Sequence, residues 1–187
     1  MDLEFDAWKV DLSESEADDR VIRLLLELGP ITELYLSNTS VSDLGVESLS
    51  VVQSLEVLEL EKTLVSDRSL SAIGRLRRIE MLGLNDTSVS DAGLTHIESL
   101  HSLWCLDLDG TSINGHSFSS LRWLRHVEWL FLANTEVDDT GLRQLRFANR
   151  LEQLWIQGAI ASEAGIRRLQ AELPSCVVHH TSEYEGG

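Results

Sequence analysis

Residues 79–100 read IEMLGLNDTSVSDAGLTHIESL. Leu82 and Leu84 alternate with their neighbours, the period of a strand with one buried face, whereas Leu94 and Ile97 stand three apart, the spacing of a helix. Between them, Ser90 and Asp91 are side chains that accept hydrogen bonds from the first free amides of a helix. The stretch is strand, loop, helix, and it recurs. Equivalent segments begin at Ala7, Ile31, Leu55, Ile79, Leu103, Val127 and Leu151, giving seven 24-residue units over residues 7–174 without an insertion. Positions 1, 4, 6, 11, 16 and 19 of the unit make 42 slots, and none is polar. The pairs Ser42-Asp43, Ser66-Asp67, Ser90-Asp91 and Asp138-Asp139 mark helix starts, and position 15 is glycine at Gly45, Gly93, Gly141 and Gly165, which implies close helix packing. One unit cannot bury both its strand and its helix. The copies must therefore stack, with strands forming a parallel sheet and helices an outer layer.

The pattern LxxLxLxxTxVSDxGLxxLxxL, carried by Ile79 to Leu100, resembles a leucine-rich repeat, and the resemblance covers about nine tenths of the chain. The S-D-x-G-L start of the helix is similar to the ribonuclease-inhibitor-like and F-box-associated branch. There, position 9 is more often Asn or Cys; here it is Ser15, Thr39, Thr63, Thr87, Thr111, Thr135 and Ala159, so a hydroxyl ladder is expected in place of an amide ladder. The resemblance implies an α/β right-handed solenoid, a horseshoe with a concave parallel sheet and helices on the convex side. It further implies that the concave sheet binds proteins or peptides without catalysis. Residues 1–6 read as an N-terminal extension, and residues 175–187 as a truncated eighth strand around Cys176 to Val178 with a disordered tail after His180. In the first unit Leu24 and Leu26 stand where the next has Ser48 and Ser50, extra apolar surface suited to capping an open end or meeting a second copy in a homodimer.

Composition narrows the partners. A formal charge of −16 disfavours nucleic acid or an anionic membrane and favours basic or neutral partners. No apolar run is long enough for a membrane span, and Asp2, Glu4 and Asp6 are unlike the basic start of a secretory signal, so a cytoplasmic protein is expected. Cys105 and Cys176 are too few for a disulfide framework and, about three strands apart, are expected as free thiols.

Strand alternation assigns positions 3 and 5 to the concave face and positions 2, 7 and 8 to its rims. Those columns hold twelve carboxylates, Glu59, Glu61, Asp107 and Asp109 among them, against Lys9 and Lys62. All 13 arginines fall in the helical half, where many suit helix C-termini. Carboxylates in neighbouring strands repel, so function is the more economical reason for the acidic columns. The same face gathers Trp129, Phe131 and Trp155, with Cys105 before them and Trp104 at the rim, as mutually touching, solvent-facing side chains; Tyr35 lies further along it. Clustered exposed aromatics mark binding surfaces. Trp123 and Phe147, both at position 21, read as helix packing.

Catalytic and cofactor signatures are missing: no phosphate loop, nucleophile elbow or metalloprotease motif occurs, and the six histidines read as solvated surface groups outside ligand spacing. Glu59 with Asp107, or Asp107 with Asp109, form carboxylate pairs, but nothing builds a pocket around them. Loop aspartates lack the ordered oxygens of a calcium site. The expectation is a non-enzymatic module without cofactor or metal that takes a basic or aromatic-seeking protein or peptide on its acidic concave face. The alternatives are a carbohydrate-binding protein, with Trp129, Phe131 and Trp155 as platforms and Asp107, Gln153 and Gln157 as hydroxyl partners, or a substrate-recognition adaptor.

Overall fold

The computed structural model describes residues 7–180; the expected extension at residues 1–6 and tail at residues 181–187 lie outside the described residues. Eight strands, β1 (Trp8–Asp11), β2 (Ile31–Tyr35), β3 (Val57–Glu59), β4 (Met81–Gly83), β5 (Cys105–Asp107), β6 (Trp129–Phe131), β7 (Gln153–Trp155) and β8 (Val177–His179), form one open sheet in chain order. Every pairing is parallel and, apart from Trp8 opposite Ile31, joins equal positions of successive units, as where Leu58 faces Leu82 and Leu82 faces Leu106. The truncated strand keeps this register, with Val177 opposite Gln153 and His179 opposite Trp155.

Six helices follow the strands: α1 (Asp19–Leu25), α2 (Asp43–Leu49), α3 (Asp67–Ile73), α4 (Asp91–Leu94), α5 (Asp139–Gln144) and α6 (Glu163–Glu172). All 42 apolar slots are buried except Ala7, Val10, Leu12 and Ala161, which belong to the first and seventh units. The first unit also exposes Leu24, 64% accessible, and Leu28.

Position 8 has a positive φ in every unit, at Glu14, Asn38, Lys62, Asp86, Gly110, Asn134 and Gly158. The chain turns there from the sheet into the loop, and this left-handed turn costs a side-chain-bearing residue about 1 kcal/mol. The hydroxyls of position 9 form no ladder between units. Each donates to the carbonyl of position 6 in its own unit, Thr63 to Leu60 at 2.6 Å and Thr135 to Leu132 at 2.6 Å. The hydroxyl column closes six local turns rather than linking them, because backbone amides such as Leu60 N already bond the next unit.

The serine-aspartate pairs divide their labour. Serine caps its own helix, as Ser42 does for the Leu44 amide, whereas the aspartate reaches forward to the next unit. Asp43 accepts from the Ser66 amide at 2.9 Å and its hydroxyl at 2.7 Å; Asp67 accepts from Ser90 at 2.7 and 2.6 Å, and Asp139 from Ser162 at 2.7 and 2.7 Å. This tie explains the glycines of position 15. A Cβ on Gly45, Gly93 or Gly165 would collide with the tying carboxylate of Asp19, Asp67 or Asp139, and Gly141 lies against the Asn114 carbonyl. Where position 15 is Ser69, its hydroxyl donates to Asp43 instead.

The fifth unit breaks the scheme. Gly115, with φ +77°, stands where the tying aspartate would start a helix, and the expected helix is replaced by 3-10 turns at Phe118–Ser120 and Arg122–Arg125. The next unit accordingly caps α5 with Asp138 rather than serine, and His116 Nε2 lies 3.1 Å from Asp138 Oδ1. Of the two aromatics of position 21, Trp123 packs inside as expected and Phe147 does not. Trp123 is fully buried, its indole N–H without a partner among the described residues, while Phe147 is exposed with Arg146 over its ring.

Candidate functional site

The pleat sends positions 4 and 6 into the core and leaves positions 3 and 5 on the open face of the sheet. Position 5 lines up Tyr35, Glu59, Gly83, Asp107, Phe131, Trp155 and His179 on consecutive strands. Beside it, position 3 lines up Cys105, Trp129 and Gln153.

At the C-terminal end of position 5 the rings stack. Phe131 and Trp155 have centroids 4.0 Å apart with planes 6° from parallel, and Trp155 and His179 lie 4.8 Å apart at 9°. His179 Nε2 is fixed by Gln153 Oε1 at 2.8 Å. Trp129 meets Trp155 edge-on at 6.2 Å and Trp104 edge-on at 5.5 Å. Five rings therefore adjoin across β5 to β8, and Trp129 is 39% exposed. Such offset and edge-to-face pairs are individually worth about 1 kcal/mol beyond burial, which holds the array rigid before anything binds. At the rim, His101, Ser102, Trp104, His126, Glu128 and Arg150 line an open groove of about 370 Å³.

The other half of position 5 is acidic and half-buried. Gly83 has no side chain, and the Glu59 carboxyl fills the space where its Cβ would stand. Burial pushes the Glu59 carboxyl up to about 7, with Asp107 and Glu61 adding repulsion. Burial raises Asp107 too, with Glu61 and Asp86 adding to it against the Asp109 amide that its carboxylate accepts.

Several expected contact residues have other work. Cys105 is not solvent-facing: it is 7% exposed, a floor beneath Trp129, and burial with Glu59 and Asp107 nearby lifts its thiol to about 12. Asp109 turns from the face to accept from the Ala133 amide at 2.6 Å, tying units five and six; burial, then Asp107, raises it to about 7. Tyr35 lies four strands from Phe131, its hydroxyl donating to Glu33 at 2.8 Å and its ring under Lys9. Glu61 pairs with Lys62 at 2.6 Å. Trp104, Trp129, Phe131, Trp155 and Asp107 do come together, and Glu59 joins them from two strands away. His179 departs from the expectation of solvated histidines. Carrying the 24-residue period one unit further places it at position 5, the signal that identifies it.

No protein-family model matches the chain, and no curated protein matches it. Its fold is similar to that of internalin C2 from Listeria monocytogenes, at 26% identity and TM-score 0.63, covering 79% of this chain and 60% of that one. It is also similar to an internalin F from the same organism, at 15% identity and TM-score 0.64, covering 91% and 53%, and to a leucine-rich-repeat protein of Leptospira interrogans, at 19% and 0.67, covering 82% and 38%. The chain thus spans between 38% and 60% of these proteins' lengths. Among the described residues no helix is long and apolar enough to cross a membrane. Its 24-residue period, its stack of parallel strands in chain order and these structural neighbours agree: the chain has the leucine-rich-repeat fold.

Proposed function

We propose that the chain is a non-catalytic module that takes a basic protein or peptide on the open face of its sheet, anchored on Trp129 and the rings around it and approached past Glu59 and Asp107. The observation that carries this reading is the rigid, half-exposed array of five rings, Trp104, Trp129, Phe131, Trp155 and His179, beside carboxyls that carry the opposite charge to such a partner. Exposed aromatic clusters of this kind supply binding area with little side-chain entropy to lose. Leucine-rich-repeat neighbours fit an interaction module better than a catalyst.

A carbohydrate platform needs uncovered ring faces. Here Trp155 has both faces covered, by Phe131 and His179, which favours the peptide reading. Binding of a library of basic peptides, with a glycan array beside it, tests the proposal. Peptide affinity is expected to fall at least tenfold in Trp129→Ala/Trp155→Ala and to weaken as salt rises. Unchanged affinity in the double variant, with native unfolding behaviour, would sink the anchor, and glycan hits without peptide hits would transfer the site to sugars.

A further inference from the structure

One end of the stack, Phe131, looks at carboxyls. Parallel rings 4.0 and 4.8 Å apart on successive strands have their normals along the direction in which strands follow one another, where the spacing is about 4.8 Å. One face of Phe131 is covered by Trp155. The other is turned toward β5, where the next residue of the column is Asp107. Asp107 is a short side chain beside a long ring, so the outer part of that ring face is left bare above the carboxyl. One strand further, Gly83 contributes no side chain, and the Glu59 carboxyl lies over it. The result is a trough with carboxyls as its floor and an aromatic face as its wall.

Among the described ion pairs, none includes Glu59 or Asp107, although Lys62 is spent nearby on Glu61 and Asp86 and Arg78 on Glu56. A cation supplied from outside would therefore meet two half-buried carboxyls and a ring face together. Lysine would satisfy the charge. Only the planar guanidinium also continues a stack of flat groups while its fork reaches two carboxylates, and it loses less hydration on entry.

We infer that the partner enters this trough with an arginine side chain, its guanidinium lying on the open face of Phe131 and hydrogen-bonded to Asp107 and Glu59. This rests on the proposed peptide-binding role of the face and names the residue that would do the binding. The groups around the trough are Cys105 on β5 with Glu61, Asp86 and Asp109 on the adjoining loops, the last three carboxylates, and Tyr35 beside Glu59. A guanidinium would drive Glu59 to ionise, so binding would release a proton and tighten between pH 5.5 and pH 8.

The test uses the full chain and three dye-labelled nonapeptides that differ only at a central arginine, lysine or citrulline, the last being flat like arginine but neutral. Fluorescence anisotropy at pH 8 is expected to show the arginine peptide bound at least tenfold more tightly than citrulline and several-fold more tightly than lysine. Asp107→Asn and Glu59→Gln, which keep shape and remove charge, are expected to erase the preference over citrulline, and Trp129→Ala to weaken all three peptides alike. Equal affinity for arginine and citrulline that still depends on Trp129 would overturn the trough and leave the peptide-binding face standing; equal affinity for arginine and lysine would overturn the stacked guanidinium. No binding of any peptide, or binding indifferent to Trp129, would overturn the peptide-binding reading and the arginine with it.

Discussion

Glu59 lays its carboxyl over the bare Cα of Gly83, and that choice has a thermodynamic sign. Its pKa in the folded chain, about 7, stands above the 4.5 of an unperturbed glutamate, so the folded state holds a proton that the unfolded state has released. Stability from such a group is fully present below the unfolded value and is lost as pH rises through the folded one. Asp109, also raised to about 7, and Asp107, raised by burial, act in the same direction. The opposite sign belongs to Asp43, held below the usual range against its own burial by hydrogen bonds from Ser69 and Ser66, whose contribution is lost as pH falls below about 4. Stability should therefore peak near pH 5 and fall by about 1–3 kcal/mol by pH 8. Urea unfolding at the two pH values measures the fall, and Glu59→Gln should remove a substantial part of it. A variant with the full pH dependence would show that the Glu59 carboxyl is ionised at no cost in the folded chain.

Helix starts link one unit to the next. Asp67 occupies the space above Gly93 and holds both the amide and the hydroxyl of Ser90, so three positions act as one device. Asp67→Ala removes a charged acceptor from two donors and should cost about 2 kcal/mol. Gly93→Ala drives a methyl into that carboxylate and should cost a similar amount. The two changes should not fully add: once Asp67 is alanine, the new Cβ meets only the Leu70 methyl, the far end of a side chain that can shift, and a double variant clearly more stable than the sum of the two losses by thermal unfolding would confirm the coupling. Strict additivity would mean that the carboxylate and the glycine act separately. Much of this was visible beforehand, since the apolar period, the strand positions and the clustering of aromatics all follow from a repeat in register. The aspartate's forward reach was not, because a serine-aspartate pair reads equally well as a double cap. The chain does carry the discriminating sign: position 12 becomes aspartate at Asp138, where the preceding unit offers Gly115 in place of a tying carboxylate. The inward turn of Asp109 and the burial of Cys105 escaped for another reason. They depend on the particular neighbours met on adjoining strands, Ala133 for Asp109 and Trp129 for Cys105, which a periodic pattern does not encode.

Stacked units contact only their neighbours, so the whole molecule is as firm as its weakest junction. That junction lies between the fifth and sixth units. Among the described residues it alone lacks the aspartate tie at the helix start, holding there a contact of His116 with Asp138 while Asp109 ties only the strand ends, and the helix on its near side is replaced by 3-10 turns over a buried Trp123 with an unpartnered N–H. Poor hydrogen-bond geometry and a buried orphan donor both lower the free energy of local opening. Amides of Leu121, Leu124 and His126 are therefore expected to exchange with solvent at least tenfold faster than those of Ser69 and Gly74 around α3, although Leu121, Leu124, Ser69 and Gly74 are all buried. On the opposite side of the same junction Trp104 and Trp129 meet across β5 and β6, so a ligand gripping both halves of the aromatic array opposes its opening. Saturating the chain with the arginine peptide should slow exchange at Leu121 and Leu124, residues on the far side of the sheet from the ligand, by the factor that binding adds to the closed state. Hydrogen exchange measured with and without the peptide decides it. Slowing confined to the strands would mean that the ligand rests on one half of the array and leaves the junction as loose as before.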